Sequence, residues 1–138
     1  MASNQLVKYL GDIFPDVEID ENDNDYVTIV IEDYYVPELL KALRCPNKNK
    51  CLLTGFFAFL ESILQENFSE YSSIVQVTIL ESIGNNSSIL KNALRFMGPL
   101  TVNLQQNAES CIGRENNLKL LEHADNVNIE NDDNGSIF

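Results

Sequence analysis

The sequence predicts an all-α fold: a compact, single-domain bundle of paired antiparallel helices. Apolar residues recur at three- and four-residue steps along most of the chain, and short stretches with Pro, Gly or Asn separate these segments. The chain has 138 residues, of which 44% are hydrophobic, so it is long and apolar enough to bury one continuous core. We therefore expect a helical domain over residues 1–124, followed by an acidic, flexible tail over 125–138, where Asn, Asp, Gly and Ser dominate.

The first helix is predicted over residues 3–14, with Ser3 as its N-cap and Pro15 as its stop. The stretch from Tyr26 to Leu43 is ambiguous. Its β-branched residues allow a short strand at 27–31, whereas four-residue apolar steps favour two helical pieces. We favour the helices, with a break near Tyr35–Val36 and Pro37 in the first turn of the second piece.

The central helix is predicted from Asn49 to Gln65, because apolar residues cover most of its circumference. The next helix is expected to start at a Ser69 cap and to end at Gly84, and another to start at a Ser87 cap. Gly98-Pro99 is expected to close that helix, with Gly98 in the left-handed conformation. A helix through Leu100, Leu104, Ala108 and Ile112 and a short one at Asn116–His123 complete the predicted bundle.

Charge is the most informative feature for function. Net charge is −12, and the segment between Tyr9 and Leu40 contains ten carboxylates and no Lys or Arg. A field of one sign repels nucleic acid and anionic lipid and attracts a basic partner or a cation. We therefore expect no direct nucleic-acid binding and no membrane binding. The ten are Asp12, Asp16, Glu18, Asp20, Glu21, Asp23, Asp25, Glu32, Asp33 and Glu38.

Neither catalysis nor a cofactor is predicted. The single histidine, His123, lies near the start of the expected tail, and there is no nucleophile elbow or glycine-rich phosphate loop.

The start of the sequence shows no signal-peptide pattern and no apolar run is long enough to span a bilayer. We interpret the three cysteines (Cys45, Cys51 and Cys111) as reduced thiols in a cytoplasm. A metal site at Cys45 and Cys51 is disfavoured by their spacing.

The stretch from Glu21 to Glu32 has part of the pattern of a calcium-binding loop. Carboxylates stand at its first, third, fifth and twelfth places, but its sixth place is Tyr26, where the sharp turn requires Gly. We therefore predict no metal site there.

Glu61 and Glu81 share a Leu-Glu-Ser-Ile context within apolar helices. Either both reach solvent at the edge of the apolar stripe, or one makes a buried tie, for instance from Glu81 to Arg95 or to backbone N–H groups at a neighbouring helix start. The tyrosines among the acids are either core residues or aromatic anchors of an interface.

Two segments carry a resemblance to known proteins: Val77-Thr78-Ile79-Leu80-Glu81-Ser82-Ile83, and Leu94-Arg95-Phe96-Met97-Gly98-Pro99-Leu100-Thr101. Together they resemble small acidic helical bacterial immunity proteins of polymorphic toxin and contact-dependent growth inhibition systems, over about half the chain. The resemblance implies a short, cytoplasmic, non-catalytic protein that binds a toxin.

Sequence and resemblance converge on an immunity protein that neutralises a cognate toxin with a basic surface, such as a nuclease. A helical adaptor unrelated to toxins, and an enzyme or metal-binding protein that uses clustered carboxylates, are the alternatives. The predicted partner-binding residues are Asp16, Glu18, Asp20, Glu21, Asp23, Asp25, Tyr26, Glu32, Asp33, Tyr34 and Tyr35.

Overall fold

A computed structural model describes residues 2–122, with side chains from Gln5 onward. This part of the chain forms seven continuous helices and contains no strand, which confirms the all-α prediction. The strand considered at 27–31 is helical instead. The predicted tail at 125–138, and His123, lie outside the described residues.

The first helix, α1 (Ala2–Ile13), buries Leu6 and Leu10. It begins before Ser3, so the predicted Ser3 cap lies inside the helix instead. Tyr9 attaches α1 to the core through its ring, which stacks on Phe59 with centroids 4.0 Å apart. An irregular acidic loop then leads to the second helix.

The second helix runs without the predicted break. It consists of α2 (Val27–Ile29), a π-helical segment π1 (Val30–Tyr35) and α3 (Val36–Arg44). Pro37 lies in the first turn of α3, as predicted, and the backbone at Tyr35 and Val36 stays helical. In a regular α-helix a proline ring collides with the carbonyl four residues earlier. The wider π turn lies just where this conflict would arise, and the helix continues past Pro37.

The central helix, α4 (Lys50–Glu66), confirms the predicted element to within one residue at each end. It buries Leu53, Phe56, Phe57, Leu60, Ile63 and Leu64. Asn49 precedes it and donates from its side-chain amide to the carbonyls of Ala42 and Cys45, at 3.3 and 3.0 Å. Both carbonyls lie at or just past the end of α3 and also accept from backbone N–H groups, those of Cys45 and Asn49, both at 3.2 Å, so the Asn49 amide adds a second donor to each.

A second helix with a π segment follows α4 after one residue. It consists of α5 (Phe68–Ile74), π2 (Val75–Leu80) and α6 (Glu81–Ile83), and ends at Gly84 as predicted. It starts one residue before Ser69, so Asn67 and not Ser69 is the N-cap residue. The segments π1 and π2 pack against each other.

The next helix, α7 (Ser87–Leu94), is capped by Asn86, whose side chain accepts from the backbone N–H groups of Ser88 and Ile89 at 2.9 and 3.2 Å. The predicted cap, Ser87, is therefore one residue too late. Asn and Ser are both good caps, and the direction in which the chain enters α7 decides between them.

The last long helix, α8 (Pro99–Ile112), packs on α4 and π2. Gly98 is its N-cap residue and has an extended backbone (φ −82°, ψ 174°), so the prediction of a left-handed Gly98 that closes α7 is wrong. The left-handed residue is Gly113 (φ 85°), which ends α8. Helical backbone then covers residues 115–122.

Candidate functional site

The acidic loop between α1 and α2 is ordered by short-range hydrogen bonds. The Asp20 carboxylate accepts from the N–H of Asn22 at 2.9 Å, and backbone bonds join Asp23 to Asp20 and Tyr26 to Asp23, both at 3.0 Å. An Asp side chain that accepts from a backbone N–H two residues later forms a turn of its own. The loop therefore presents its carboxylates from a succession of turns.

Tyr34 attaches this loop to π1. Its hydroxyl donates to the Asp23 carboxylate at 2.7 Å and accepts from the backbone N–H of Asp20 at 3.3 Å. The hydrogen bond to Asp23 raises the pKa of Tyr34 above its usual 10.0, because ionisation would leave two negative oxygens in contact. Tyr34 and Asp23 are both predicted site residues, and their contact joins the loop directly to the helix.

The carboxylates of the acidic segment are all exposed or half-buried. Among the described residues only one of them, Glu38, pairs with a cation: Lys41 Nζ lies 3.1 Å from its carboxylate, on the same exposed helix face. The remaining carboxylates of the segment, all between residues 12 and 33, lie more than 4.0 Å from every described Lys or Arg nitrogen. The segment is therefore neither buried nor neutralised internally within residues 2–122.

The three predicted tyrosine anchors differ in accessibility. Tyr26 is 59% exposed and Ile29, three residues later, is 36% exposed, so both present apolar surface in the acidic segment. Tyr34 is half-buried against the loop. Tyr35 is only 5% exposed, within the core, and burial raises the pKa of its hydroxyl. Tyr26 and Tyr34 can contact a partner in this conformation, whereas Tyr35 cannot.

A cleft of about 390 Å³ opens between the end of α1, the start of the loop and the π1–α3 junction. Ile13, Phe14, Pro15, Val17 and Pro37, together with the Tyr34 ring, contribute apolar atoms to its walls. Three carboxylates also line it: Asp16, Asp33 and Glu38. Walls that combine apolar side chains with carboxylates suit a long cationic side chain, because its aliphatic stem packs on the apolar side chains and its charged end pairs with a carboxylate.

Metal binding has no geometric support in the described part of the chain. Within residues 2–122 no group of three or more His, Cys, Asp or Glu side chains is placed to hold a metal ion. The candidate calcium loop becomes helical from Val27 onward, so its second half does not wrap around a site. Cys45, Cys51 and Cys111 are exposed and free.

Sequence analysis left open whether Glu61 or Glu81 makes a buried tie; Glu61 makes one to a neighbouring helix start, and it is half-buried there. One carboxylate oxygen accepts from the N–H of Leu100 at 2.9 Å, and the other accepts from the N–H and hydroxyl of Thr101 at 3.0 and 2.9 Å. Glu61 thus caps α8, where free N–H groups favour a negative charge. A Cβ on Gly98 would lie 2.5 Å from the Glu61 carboxyl carbon, so this approach requires glycine.

The C-terminal half contains a polar network that sequence reasoning did not identify. Glu109 is fully buried, accepts from Arg114 Nε at 2.7 Å and also accepts from Asn117 Nδ2 at 2.7 Å. Asn117 Nδ2 donates in addition to the carbonyl of Gly84 at 2.8 Å, and its Oδ1 accepts from Ser87 at 2.9 Å. The network fastens the end of α8 and the following turn to the α6–α7 loop.

Only a spacing signal could have pointed to this network. Glu109 interrupts the apolar face of α8 and precedes Arg114 by five residues, across Gly113. The left-handed Gly113 turns the chain so that Arg114 reaches back to Glu109. A Cβ on Gly84 would overlap the Glu109 carboxylate, so the packing there also requires glycine.

The helices in the described part of the chain all fall short of the length and apolar character that a bilayer-spanning segment needs. Comparison with known protein families, with curated proteins and with solved structures gave no match to this chain.

Proposed function

We propose that this protein is a cytoplasmic bacterial immunity protein, which binds and neutralises a cognate toxin through its acidic segment without catalysing a reaction. One observation supports the proposal most: a long run of carboxylates stays accessible, and only Glu38 among them is paired with a described cation. A nuclease toxin needs a basic cleft for its nucleic acid, and an acidic protein can cover that cleft.

Charge complementarity accounts for fast and selective encounter. Opposite electric fields steer two proteins together and raise their association rate constant by about 10-fold or more at low salt. They also disfavour acidic partners. Tight binding needs desolvated contacts as well, and the exposed pair Tyr26 and Ile29 lies among the acids to supply them.

The test is neutralisation of the toxin encoded by the neighbouring gene, followed by association kinetics of the purified pair. The loop variant neutralises four exposed acids that make no hydrogen bond with Tyr34: Asp16→Asn, Glu18→Gln, Glu21→Gln and Asp25→Asn. We expect the association rate constant to fall about tenfold at low ionic strength and its salt dependence to flatten.

A control variant carries the same change in net charge elsewhere: Glu66→Gln, Glu70→Gln, Glu115→Gln and Glu122→Gln, all at exposed positions. It should associate nearly as fast as the wild type. Equal slowing of both variants would mean that only overall charge matters and would place the interface outside the loop. If the neighbouring gene product is neither bound nor neutralised, the immunity function is wrong and the adaptor alternative gains.

A further inference from the structure

The acidic cleft is one end of a longer groove. A second cleft, of about 340 Å³, adjoins it, because Phe14 and Glu38 line both. The second cleft runs along α3 to Cys45 and reaches Leu52 of α4. From Asp33 at the first end to Cys45 at the second, the groove follows the helix over roughly 18 Å, given a rise of about 1.5 Å per residue.

The two ends of this groove carry opposite charges. Asp16 and Asp33 line the first end, and neither side chain makes a hydrogen bond or ion pair with another described residue. Lys41 and Lys48 line the second end. Glu38 and Lys41 pair with each other at the junction, so Asp16, Asp33 and Lys48 remain for a ligand.

Apolar side chains lie between the charged ends. Phe14 lines both clefts, Pro37 lines the first cleft, and Leu52 lines the second. A row of apolar contacts between an anionic and a cationic end fits a short extended peptide. Because an extended chain advances about 3.3 Å per residue, four residues extend over about 10 Å of the groove, and long charged side chains at the two ends of the peptide reach further toward both charged ends.

We propose that this groove docks an extended segment of the partner, with a Lys or Arg at the Asp16–Asp33 end, apolar side chains over Phe14, and an Asp or Glu at the Lys48 end. This deepens the proposed function, on which it rests for the identity of the partner. The occupant is thus a dipolar segment, and not merely any basic surface.

The test uses two short peptides and the protein alone. The acetylated, amidated tetrapeptide Arg-Leu-Leu-Glu is titrated into isotope-labelled protein at physiological salt and followed by the amide resonances of the groove. The peptide Arg-Leu-Leu-Gln, which lacks the anion, is the comparison ligand. We expect saturable shifts at residues of the groove, and weaker binding of the second peptide.

Two protein variants locate the charges of the peptide. Asp33→Asn should weaken both peptides about threefold to fivefold, as is usual for an accessible ion pair. Lys48→Gln should weaken only Arg-Leu-Leu-Glu, and by a similar factor. The matched controls Glu115→Gln and Lys91→Gln, both exposed and away from the groove, should leave the affinities unchanged.

The outcomes separate the two proposals. Shifts that do not saturate, or a Lys48→Gln variant that binds both peptides like the Lys91→Gln control, would overturn the groove assignment. If at the same time the toxin is still neutralised, the immunity function stands and uses another surface. If the peptides bind with the expected pattern but no toxin is recognised, the groove remains a docking site and its partner is of another kind.

Discussion

Between residues 12 and 38 the carboxylates face solvent, whereas in Glu61 and Glu109 every carboxylate oxygen accepts hydrogen bonds from inside the protein. Glu61 holds the start of α8, and Glu109 holds its end. The N-terminal acids do little of this kind, apart from Asp20 and Asp23 in their loop. The comparison separates carboxylates that stabilise the fold from carboxylates that remain accessible to solvent.

Removing Arg114 should have the largest effect. In Arg114→Ala the Glu109 carboxylate, whose side chain is 0% exposed, loses its cation and stays buried. We expect the free energy of unfolding to fall by about 3–5 kcal/mol, as for other buried pairs broken on one side. Urea denaturation measures it. The exposed Lys119→Ala is the control and should change stability by less than about 0.5 kcal/mol. A loss below about 1 kcal/mol for Arg114→Ala would contradict this role of the pair.

Glu61 and Glu81 offer a matched test, because both stand in the sequence Leu-Glu-Ser-Ile. Glu61→Ala removes three hydrogen bonds from the start of α8 and should cost about 2 kcal/mol, near the upper range for the loss of a helix cap. Hydrogen exchange at the amides of Leu100 and Thr101 should accelerate. Glu81→Ala should be nearly neutral, since the Glu81 side chain makes no hydrogen bond with the described residues. Equal losses in the two variants would refute the assignment.

The smallest effect concerns the titration of Tyr34. Its pKa is raised in the folded protein, so the contribution of its hydrogen bond to stability is complete below pH 10.0 and is lost as the pH rises through the folded pKa. Asp23→Asn should lower the pKa of Tyr34, since the hydrogen bond to a carboxylate is the main cause of the shift. Phenolate absorbance, with Tyr34→Phe to identify the signal, measures this. Asp25→Asn serves as the control and should leave the titration of Tyr34 unchanged.

Local patterns predicted the helical fold and several helix positions, because apolar spacing and helix breakers act within a few residues. The position of Pro37 and the end at Gly84 follow from such rules. The sequence predicts Ser87 as the cap of α7, whereas the structure has Asn86. Both residue types are good caps, and the choice depends on the direction of the incoming chain. The π turns were missed because a wider turn leaves no distinct spacing in so short a stretch.

The glutamate ties depend on contacts between distant residues. Sequence reasoning expected Gly98 in the left-handed conformation, yet Gly98 is needed because Glu61, from another helix, approaches its Cα. Glu61 and Glu81 have the same neighbours in sequence, so only the packing of α4 against α8 distinguishes them. The acidic segment itself was visible from sequence, but the cleft beside it arises where α1, the loop and α3 meet.

The π1 segment also sets the direction in which the acidic loop faces relative to α3. An α-helix turns by about 100° per residue, and a π turn takes about one residue more for nearly the same rotation. If Val30–Tyr35 were wound as regular α-helix with no residue lost, everything before it would turn by about 100° relative to α3. Tyr26 and its neighbouring carboxylates would then point toward a different side of the molecule. The wider turn, which contains one residue more than an α turn, therefore determines on which side of the molecule the acidic residues lie.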